Sequence, residues 1–476
     1  MTAWRWEIFE ELVNAAPSTV TNPGPLRQPI ESLSIRRGEE GELVLTTTSR
    51  NAGNSAATQH PPGTVRRADE FISFSNPIGF NGLAHGVVPR SWSQTYDVKV
   101  GSDITTEESS LYSLELLSQQ SRPIEYTIEW IENFQADSFL WFGQLSDKTT
   151  HLETMTLGSG AAAITLTATI SEGGGSNQNV YLRVGGTELY LGTARSDTPQ
   201  GLVKPGFILY RGAPDEGTRE KIRHCLSFAL GNYLVNLGST TLDAAYQPVS
   251  ITAVSANRIS DRIFKLPPLP PAPLETRYQR EVDAVVLSRI VNSIYAASDE
   301  LGLRSLSWAY WHALCAPVHI AAAHFGAAIE ALQDTFVKAH PEKFPTRLIP
   351  DDTEWRALQK RLTEAVRSSA LEPEVQTIFE NKVAGLNSVP ISKLSEQVFT
   401  HLGIPLGELE RTAWRARHVA AHGGSSSGDP IKTIKDTKLL KGILDRLVLK
   451  IANAGDVYRD YYTVGHPIRK LNEPMS

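Results

Sequence analysis

The sequence predicts an α+β protein with two domains, a β-rich, sandwich-like domain over residues 1–265 followed by an all-α helical bundle over residues 275–476. Three observations support this division. Short runs of β-branched and aromatic residues, separated by glycines, dominate the first half. Apolar residues at helical spacing dominate the second half. Between them, residues 266–274 hold five prolines, which favour an extended linker.

Length and charge set the broad class of protein. A chain of 476 residues is too long for one ordinary hydrophobic core, so more than one domain is expected. The net charge is −6, with 21 basic against 28 acidic residues up to position 265 and 25 against 24 after it. Neither half therefore has the strongly basic balance of a dedicated duplex-DNA-binding protein.

The β-rich half is predicted from runs typical of strands. These runs are Glu42–Thr48, Gln94–Val100, Glu125–Trp130, Ile164–Ile170, Val180–Val184 and Phe207–Tyr210. The glycine runs at 173–175 and 185–186 predict turns between strands. One helix, Glu216–Val235, is expected to interrupt this half.

The second half is predicted to be helical almost throughout, and its short linkers predict an antiparallel bundle. The predicted helices are Arg277–Ala297, Leu303–His340 with a kink at Pro317, Thr353–Ser369, Glu372–Leu386, Ser392–Leu402, Leu406–His422 and Pro430–Tyr462. Thr353 is the expected N-cap of its helix.

A cytoplasmic location without membrane association is expected. Cys225 and Cys315 lie in apolar helical stretches, which predicts small core residues in a reducing compartment. Acidic residues interrupt the N-terminal segment MTAWRWEIFEELVNAAP, where a secretory signal needs an apolar run. The most apolar stretch, Ala313–Leu332, contains a proline and three polar residues, and it predicts a buried helix.

Candidate chemistry concentrates in Glu408–Gly424, ELERTAWRARHVAAHGG, which has the apolar stripe of an amphipathic helix. His422 lies in its last turn, where the helix carbonyls favour a protonated imidazole. Arg417 precedes it by five residues, and His418 shares its face. A cation that binds phosphate through two hydrogen bonds, beside a group that moves protons, suits RNA cleavage. The ribose 2′-hydroxyl then serves as the nucleophile, and neither a metal nor a cofactor is required.

The Arg–His spacing alone is weakly specific, because other pairs in the chain share it. Arg219 and His224, in the helix of the β-rich half, are expected to be such a chance pair. His418 and His422 could supply half of a zinc site, but the glutamate of a metalloprotease motif and a third ligand are missing. No metal site is therefore predicted.

The segment Arg417-His-Val-Ala-Ala-His422-Gly, together with the earlier helical stretch Ala328-Ile-Glu-Ala-Leu332, resembles HEPN domains. It is similar in particular to the ApeA-like branch found in bacterial anti-phage abortive-infection proteins. The family motif is Arg, a polar residue, three variable residues and His. His418 occupies the polar position, where the family often has Asn. The β-rich half, including Arg223–Phe228, resembles the domain that precedes ApeA-type HEPN domains.

The resemblance implies a metal-independent endoribonuclease in which two motifs face each other across a homodimer or larger homo-oligomer. Arg417 and His422 would be the catalytic pair, with His418 as a helper and Glu330 orienting the arginine. The substrate would be RNA, with tRNA among the candidates. A phage-derived trigger would act through the N-terminal sensing or regulatory domain.

Two further interpretations remain open at this stage. The lysines that recur every three residues after the motif form either an RNA-backbone track or a solvated helix face. They are Lys432, Lys435, Lys438 and Lys441. Alternatively, Arg417 pairs with an acidic neighbour and His422 caps the helix. The protein would then be a non-catalytic RNA- or ligand-binding or dimerisation protein.

Overall fold

The computed structural model describes residues 7–50, 63, 71–98, 101–134, 143–157, 164–194, 206–256, 259–275, 282–421 and 429–475. By its contacts the chain divides into two units. The first comprises Met1–Pro270 and Leu274–Asn292, and the second comprises Pro271–Pro273 and Ser293–Ser476. The predicted order, a β-rich region followed by an all-helical region, is confirmed.

The first unit consists mainly of antiparallel strands. Its strands are β1 (Thr19–Asn22), β2 (Ile30–Arg37), β3 (Leu43–Arg50), β4 (Phe71–Asn76), β5 (Phe80–His85), β6 (Val88–Asp97), β7 (Ser102–Leu111), β8 (Ser113–Ser118), β9 (Tyr126–Ile131), β10 (Gly143–Leu157), β11 (Ile164–Val184), β12 (Thr187–Thr193), β13 (Gly206–Arg211), β14 (Asn236–Leu242) and β15 (Pro248–Val254). One sheet has the order β1-β4-β5-β8-β15-β14-β9-β13-β12-β11-β10, and a smaller sheet has the order β2-β3-β7-β6.

The two sheets contribute to one hydrophobic core, as a sandwich-like arrangement requires. Buried side chains of β2 and β3, such as Ile35 and Leu45, belong to the same cluster as Phe74, Leu114 and Trp130 of the larger sheet. Alternate residues of β15 are buried, which is the period expected of a strand with one face toward the core.

The prediction of a turn at residues 173–175 was wrong. β11 continues through all three glycines, which pair with residues 146–148 of β10. Cross-strand pairing satisfies the backbone there without a turn. The predicted turn at Gly185 and Gly186 is confirmed, since both residues have positive φ between β11 and β12.

Among the described residues, two α-helices belong wholly to the first unit, and a third α-helix begins in it. They are α1 (Phe9–Asn14), α2 (Glu216–Leu230) and α3 (Ala284–Ala296). α2 is shorter than predicted because Gly231, with φ +62°, caps it.

The second unit is built of helices and a short hairpin. The helices are α4 (Ser298–Leu301), α5 (Leu303–Cys315), α6 (Val318–Ala339), α7 (Asp352–Arg367), α8 (Pro373–Gly385), α9 (Ile391–Leu402), α10 (Glu408–Ala421) and α11 (Pro430–Ile451), and the hairpin strands are β16 (Val457–Arg459) and β17 (Ile468–Lys470). α6 packs against α5, α10 and α11 and is the central helix of this unit.

Three predicted helix boundaries in this unit need correction. Pro317 separates α5 from α6, where a kink within one helix was predicted. α7 is capped by Asp351, whose carboxylate accepts the N–H groups of Thr353 and Glu354, so Thr353 is not the cap. α11 ends at Ile451, and the chain then forms β16 within the stretch predicted as helix.

The proline-rich segment makes backbone hydrogen bonds to other parts of the chain. The Leu269 N–H donates to the Gly231 carbonyl at 3.0 Å, and the Pro271 carbonyl accepts from the Arg459 N–H at 2.9 Å. Leu274 is buried. A short 3-10 helix, Asp261–Lys265, precedes this segment.

Both cysteines are buried, as predicted for small core residues, and neither forms a disulfide within the described chain. Burial raises the pKa of the Cys225 thiol to about 12. Within the described part of the chain, none of the helices is both long enough and apolar enough to cross a bilayer.

Candidate functional site

A buried ion pair fixes the start of α10 on α11. Arg446 of α11 donates to the carboxylate of Glu410, and both side chains are fully enclosed. Arg446 also donates to the carbonyls of Leu471, at 2.8 Å, and Pro405, at 3.0 Å. Glu410 in turn accepts the Gly407 N–H at 2.8 Å. Such a network holds α10 in one register, since each buried charge is paired and hydrogen-bonded.

Two turns along α10, Arg417 forms an ion pair with Glu330 of α6. Its Nη2 and Nε lie 2.6 and 3.1 Å from Glu330 Oε1. Its Nη1 donates to the Trp414 carbonyl, and its guanidinium carbon lies 3.3 Å from the centroid of the Trp414 ring. The guanidinium is therefore held by a carboxylate, a carbonyl and an aromatic face.

These bonds leave donor capacity on Arg417. A guanidinium has five N–H groups, and three are engaged by Glu330 and Trp414. The other two have no partner among the residues that the structure describes.

Gly326 makes the approach of Arg417 to α6 possible. A β-carbon at position 326 would lie 2.6 Å from Arg417 Cδ and 3.0 Å from its Cβ. Real Cβ contacts do not occur at 2.6 Å, so the side chain of Arg417 occupies space that only glycine leaves. Gly326 and Glu330 are four residues apart, which places both on the same face of α6.

Arg417 also lines a cleft beside α9 and α10, with a volume of about 1100 Å³. Although the Arg417 side chain is only 8% exposed, it forms part of the cleft wall. The charged residues of the cleft are Arg411, Arg415, Arg417 and Glu396. Trp414 lines it as well, so the wall combines guanidinium groups with an aromatic ring.

The two histidines of the motif are placed only in part. His418 lies in the last turn of α10, and its side chain is outside the described residues. His422 falls within 422–428, also outside them. The structure thus brings Arg417 and Glu330 together, and the roles predicted for His418 and His422 stay predictions.

The lysine stripe of α11 needs a correction at Lys441. Lys441 is buried and donates to Asp445 at 2.6 Å, so it cannot contact an RNA backbone. A spacing of three residues turns by about 300° per step, so three steps rotate the side chain to the opposite face. Lys435 and Lys438 are exposed, while Lys432 is half-buried and bonded to Asp436 at 2.9 Å.

Arg219 of the expected chance pair belongs to a buried structural cluster. The carboxylate of Glu129 in β9 accepts hydrogen bonds from Arg223 and, at 2.8 Å, from the Tyr210 hydroxyl. Arg219 Nε lies 3.6 Å from Glu129 Oε1. Burial raises the pKa of Glu129 although the two arginines oppose this effect. The cluster ties α2 to the larger sheet.

Groups of three or more His, Cys, Asp or Glu side chains that could hold a metal ion do not occur among the described residues. Sequence reasoning missed Gly326, Trp414, Arg411 and Arg415 as parts of the site. The spacing of Arg411 and Arg415 by one helical turn was the available signal. The role of Gly326 depends on which helix packs against α6, and no local pattern encodes that.

Comparison with known proteins found no match to this chain, either among protein-family models, among curated proteins or among solved structures.

Proposed function

We propose that the chain is a metal-independent endoribonuclease of the HEPN type, in which Arg417 and His422 cleave RNA. The observation that carries the proposal is the placement of Arg417. Its guanidinium is fixed by Glu330 and Trp414, and it forms part of the wall of a cleft. A fixed donor aimed at a phosphate needs no reorganisation when charge develops on it.

The proposed reaction is a transesterification that expels the downstream RNA fragment with a 5′-hydroxyl end. The ribose 2′-oxygen attacks phosphorus, the P–O5′ bond breaks, and a 2′,3′-cyclic phosphate forms. His422 takes the proton of the 2′-hydroxyl. The departing 5′-oxygen takes a proton from His418 or from the motif of a second copy. Arg417 stabilises the charge on the phosphoryl oxygens.

Glu330 would act as a positioning residue for Arg417. A carboxylate that accepts from Nε and Nη2 fixes the plane of the guanidinium, and the Glu330 side chain is itself 36% exposed. The exposed Lys435 and Lys438 would contact the RNA backbone near the motif.

The same proposal covers the setting in which the enzyme acts. We place it in the cytoplasm, as a homodimer or larger homo-oligomer in anti-phage defence, with tRNA among its candidate substrates. The β-rich region would hold the nuclease inactive until a phage-derived trigger binds. This part rests on the resemblance of the motif and of the β-rich half to ApeA-type proteins.

A second candidate function is favoured by the same ion pair. Pairing of Arg417 with Glu330 also suits a structural contact between α6 and α10 in a non-catalytic RNA- or ligand-binding protein. The two functions differ in what the protein does to bound RNA.

Cleavage of labelled RNA by the purified full-length protein separates them. Arg417→Ala and His422→Ala should each reduce cleavage by at least a hundredfold, with unchanged oligomeric state. Matched controls in the same unit are Arg367→Ala, which removes an exposed pair with Glu380, and His319→Ala, which removes an exposed histidine. Both controls should cleave normally. If RNA survives equally with the wild type and with Arg417→Ala, the protein is the binding module.

A further inference from the structure

We infer that the cleft beside α9 and α10 binds an unpaired nucleotide of a nucleic-acid strand, with the base against Trp414 and a phosphate at Arg411 and Arg415. The inference rests on the proposed function, because it names the form of RNA that reaches Arg417.

The charge of the cleft favours an anionic ligand. Arg411 and Arg415 are both exposed and lie one helical turn apart, and neither has a carboxylate partner among the described residues. Like charges at this spacing repel each other. Glu396, the carboxylate that lines the same cleft, forms no ion pair with either arginine within the described chain. An anion bound between the two arginines would relieve the repulsion.

The aromatic ring of Trp414 in the cleft wall suits stacking of a base. Trp414 lies on α10 between the two arginines in sequence and packs edge-to-face with Phe399, at 6.2 Å and 88°. Arg417 covers part of the ring as well. An indole held from two sides loses little freedom when a base stacks on it, and stacking on aromatic side chains is the general way in which proteins hold unpaired bases.

The size of the cleft suits a nucleotide within a strand. At about 1100 Å³ the cleft exceeds the range of roughly 300–1,000 Å³ typical of small-molecule pockets. Hydroxyl and amide side chains also line it, from Ser392, Thr400 and Asn472. Such a cleft has room for a base, its sugar and the flanking phosphates, and it has polar groups for each.

Single-strand selectivity follows from this geometry. In an A-form duplex each base is stacked between its neighbours, so its face cannot reach a protein ring. A loop or a single strand presents an unstacked base. Because Arg417 lines the same cleft, a nucleotide bound there would bring the next phosphate of the strand toward the proposed catalytic arginine.

The test is the affinity of the full-length protein for a 2′-O-methyl single strand of about 12 nucleotides, within the site sizes of known single-strand binders. The probe has no 2′-hydroxyl, so the proposed nuclease cannot cut it. Fluorescence anisotropy is measured for this strand and for its duplex. AMP serves as a competitor that reports on free nucleotides.

We expect the duplex to bind at least tenfold more weakly than the single strand. Arg411→Ala/Arg415→Ala should weaken strand binding at least tenfold, and Trp414→Leu by about 5- to 150-fold. Trp414→Phe keeps an aromatic ring and should lose less. The matched control is Arg356→Ala/Lys360→Ala, an exposed basic pair one turn apart on α7, which should bind like the wild type.

Equal affinity for duplex and single strand, or unchanged affinity in the arginine double variant, would overturn the inference. If AMP competes with an affinity equal to that of the single strand, the cleft is a mononucleotide site and not a strand-binding site. The proposed function fails separately. A wild-type protein that binds the probe but does not cut RNA leaves this inference intact, and one that cuts RNA without binding at the cleft leaves the nuclease intact.

Discussion

Gly326 and Arg417 are in contact in a way that only glycine permits, since a β-carbon at position 326 would lie 2.6 Å from Arg417 Cδ. Glycine is a poor helix former, costing about 0.8–1.0 kcal/mol relative to alanine in a helix interior. Glycine in the middle of α6 is therefore better explained by the packing of another helix against it than by the stability of α6 itself. The space that it leaves allows Arg417 to lie against the helix and reach Glu330 one turn later.

Gly326→Ala should displace Arg417 and reduce RNA cleavage at least tenfold while the helical unit stays folded. The added methyl group meets the stem of Arg417, at Cβ and Cγ as well as Cδ, so a change of rotamer at the end of the side chain does not relieve the clash. Cleavage rate and thermal melting are measured together.

Gly385→Ala is the matched control, because a β-carbon there meets nothing within 4 Å. It lies in α8 and should leave cleavage unchanged. If Gly326→Ala instead stabilises the protein and cleaves normally, like an ordinary helix substitution, the contact does not position Arg417.

Glu330 should affect the rate of the chemical step more than the binding of RNA. Glu330→Ala frees the guanidinium and should lower kcat at least tenfold with a smaller change in KM. Glu330→Gln keeps an oxygen that accepts from Nε and Nη2 and should restore part of the loss. A purely structural role predicts no such rescue in kcat, and equal kcat in the two variants would favour that role.

Lys441 should contribute to the stability of the folded protein and not to RNA binding. Lys441→Ala leaves Asp445 without its cation in a buried site, and loss of one partner of a buried pair costs about 3–5 kcal/mol. Burial already raises the pKa of Asp445, and Lys441 opposes this effect. Urea unfolding measures the change, with Lys435→Ala, an exposed position expected within about 0.5 kcal/mol of the wild type, as the control. Similar unfolding midpoints for the two variants would refute the assignment.

The amides of α7 should lose protection from hydrogen exchange in acid, because the carboxylate of Asp351 that caps the helix becomes protonated. Hydrogen bonds from the backbone N–H groups of Glu354 and Thr353 hold the pKa of Asp351 below its usual 3.8. A carboxyl whose pKa is lowered by folding contributes stability above its unfolded pKa, and the contribution disappears as the pH falls through its folded pKa. No residue of α7 is buried.

Hydrogen exchange of α7 amides on either side of that pH range measures the effect. Protection relative to the neighbouring α8 should fall as the carboxyl becomes protonated. Asp351→Asn keeps a capping oxygen without the titration, so its α7 should show no such pH dependence. An equal acid response in the variant would mean that another group controls it.

The order of the β-rich and helical regions could be predicted because the spacing of apolar residues depends only on neighbouring positions in the sequence. The amphipathic pattern of Glu408–Gly424 identified α10 to within two residues at its start. The boundary errors arose where a single residue decided the outcome. Gly231 ended α2 early, and Asp351 rather than Thr353 capped α7.

Site residues could be predicted from the sequence only where the type of residue itself indicates a chemical role. Arg417 and Glu330 could be paired from a motif and a resemblance. The fit of Arg417 against Gly326 requires knowing that α6 and α10 are neighbours, which is a property of the packed unit. The lysine stripe failed at Lys441 because a spacing of three residues does not follow one face of a helix.

The chemistry of the RNA ends that the purified protein produces in excess chelator shows most directly whether Arg417 and His422 cleave RNA. We predict cleavage with 2′,3′-cyclic phosphate and 5′-hydroxyl ends in the wild type, and no such ends with Arg417→Ala or His422→Ala. RNA that stays intact in chelator, or products that carry 5′-phosphates and appear only with added metal, would contradict cleavage by an arginine and a histidine through the ribose hydroxyl.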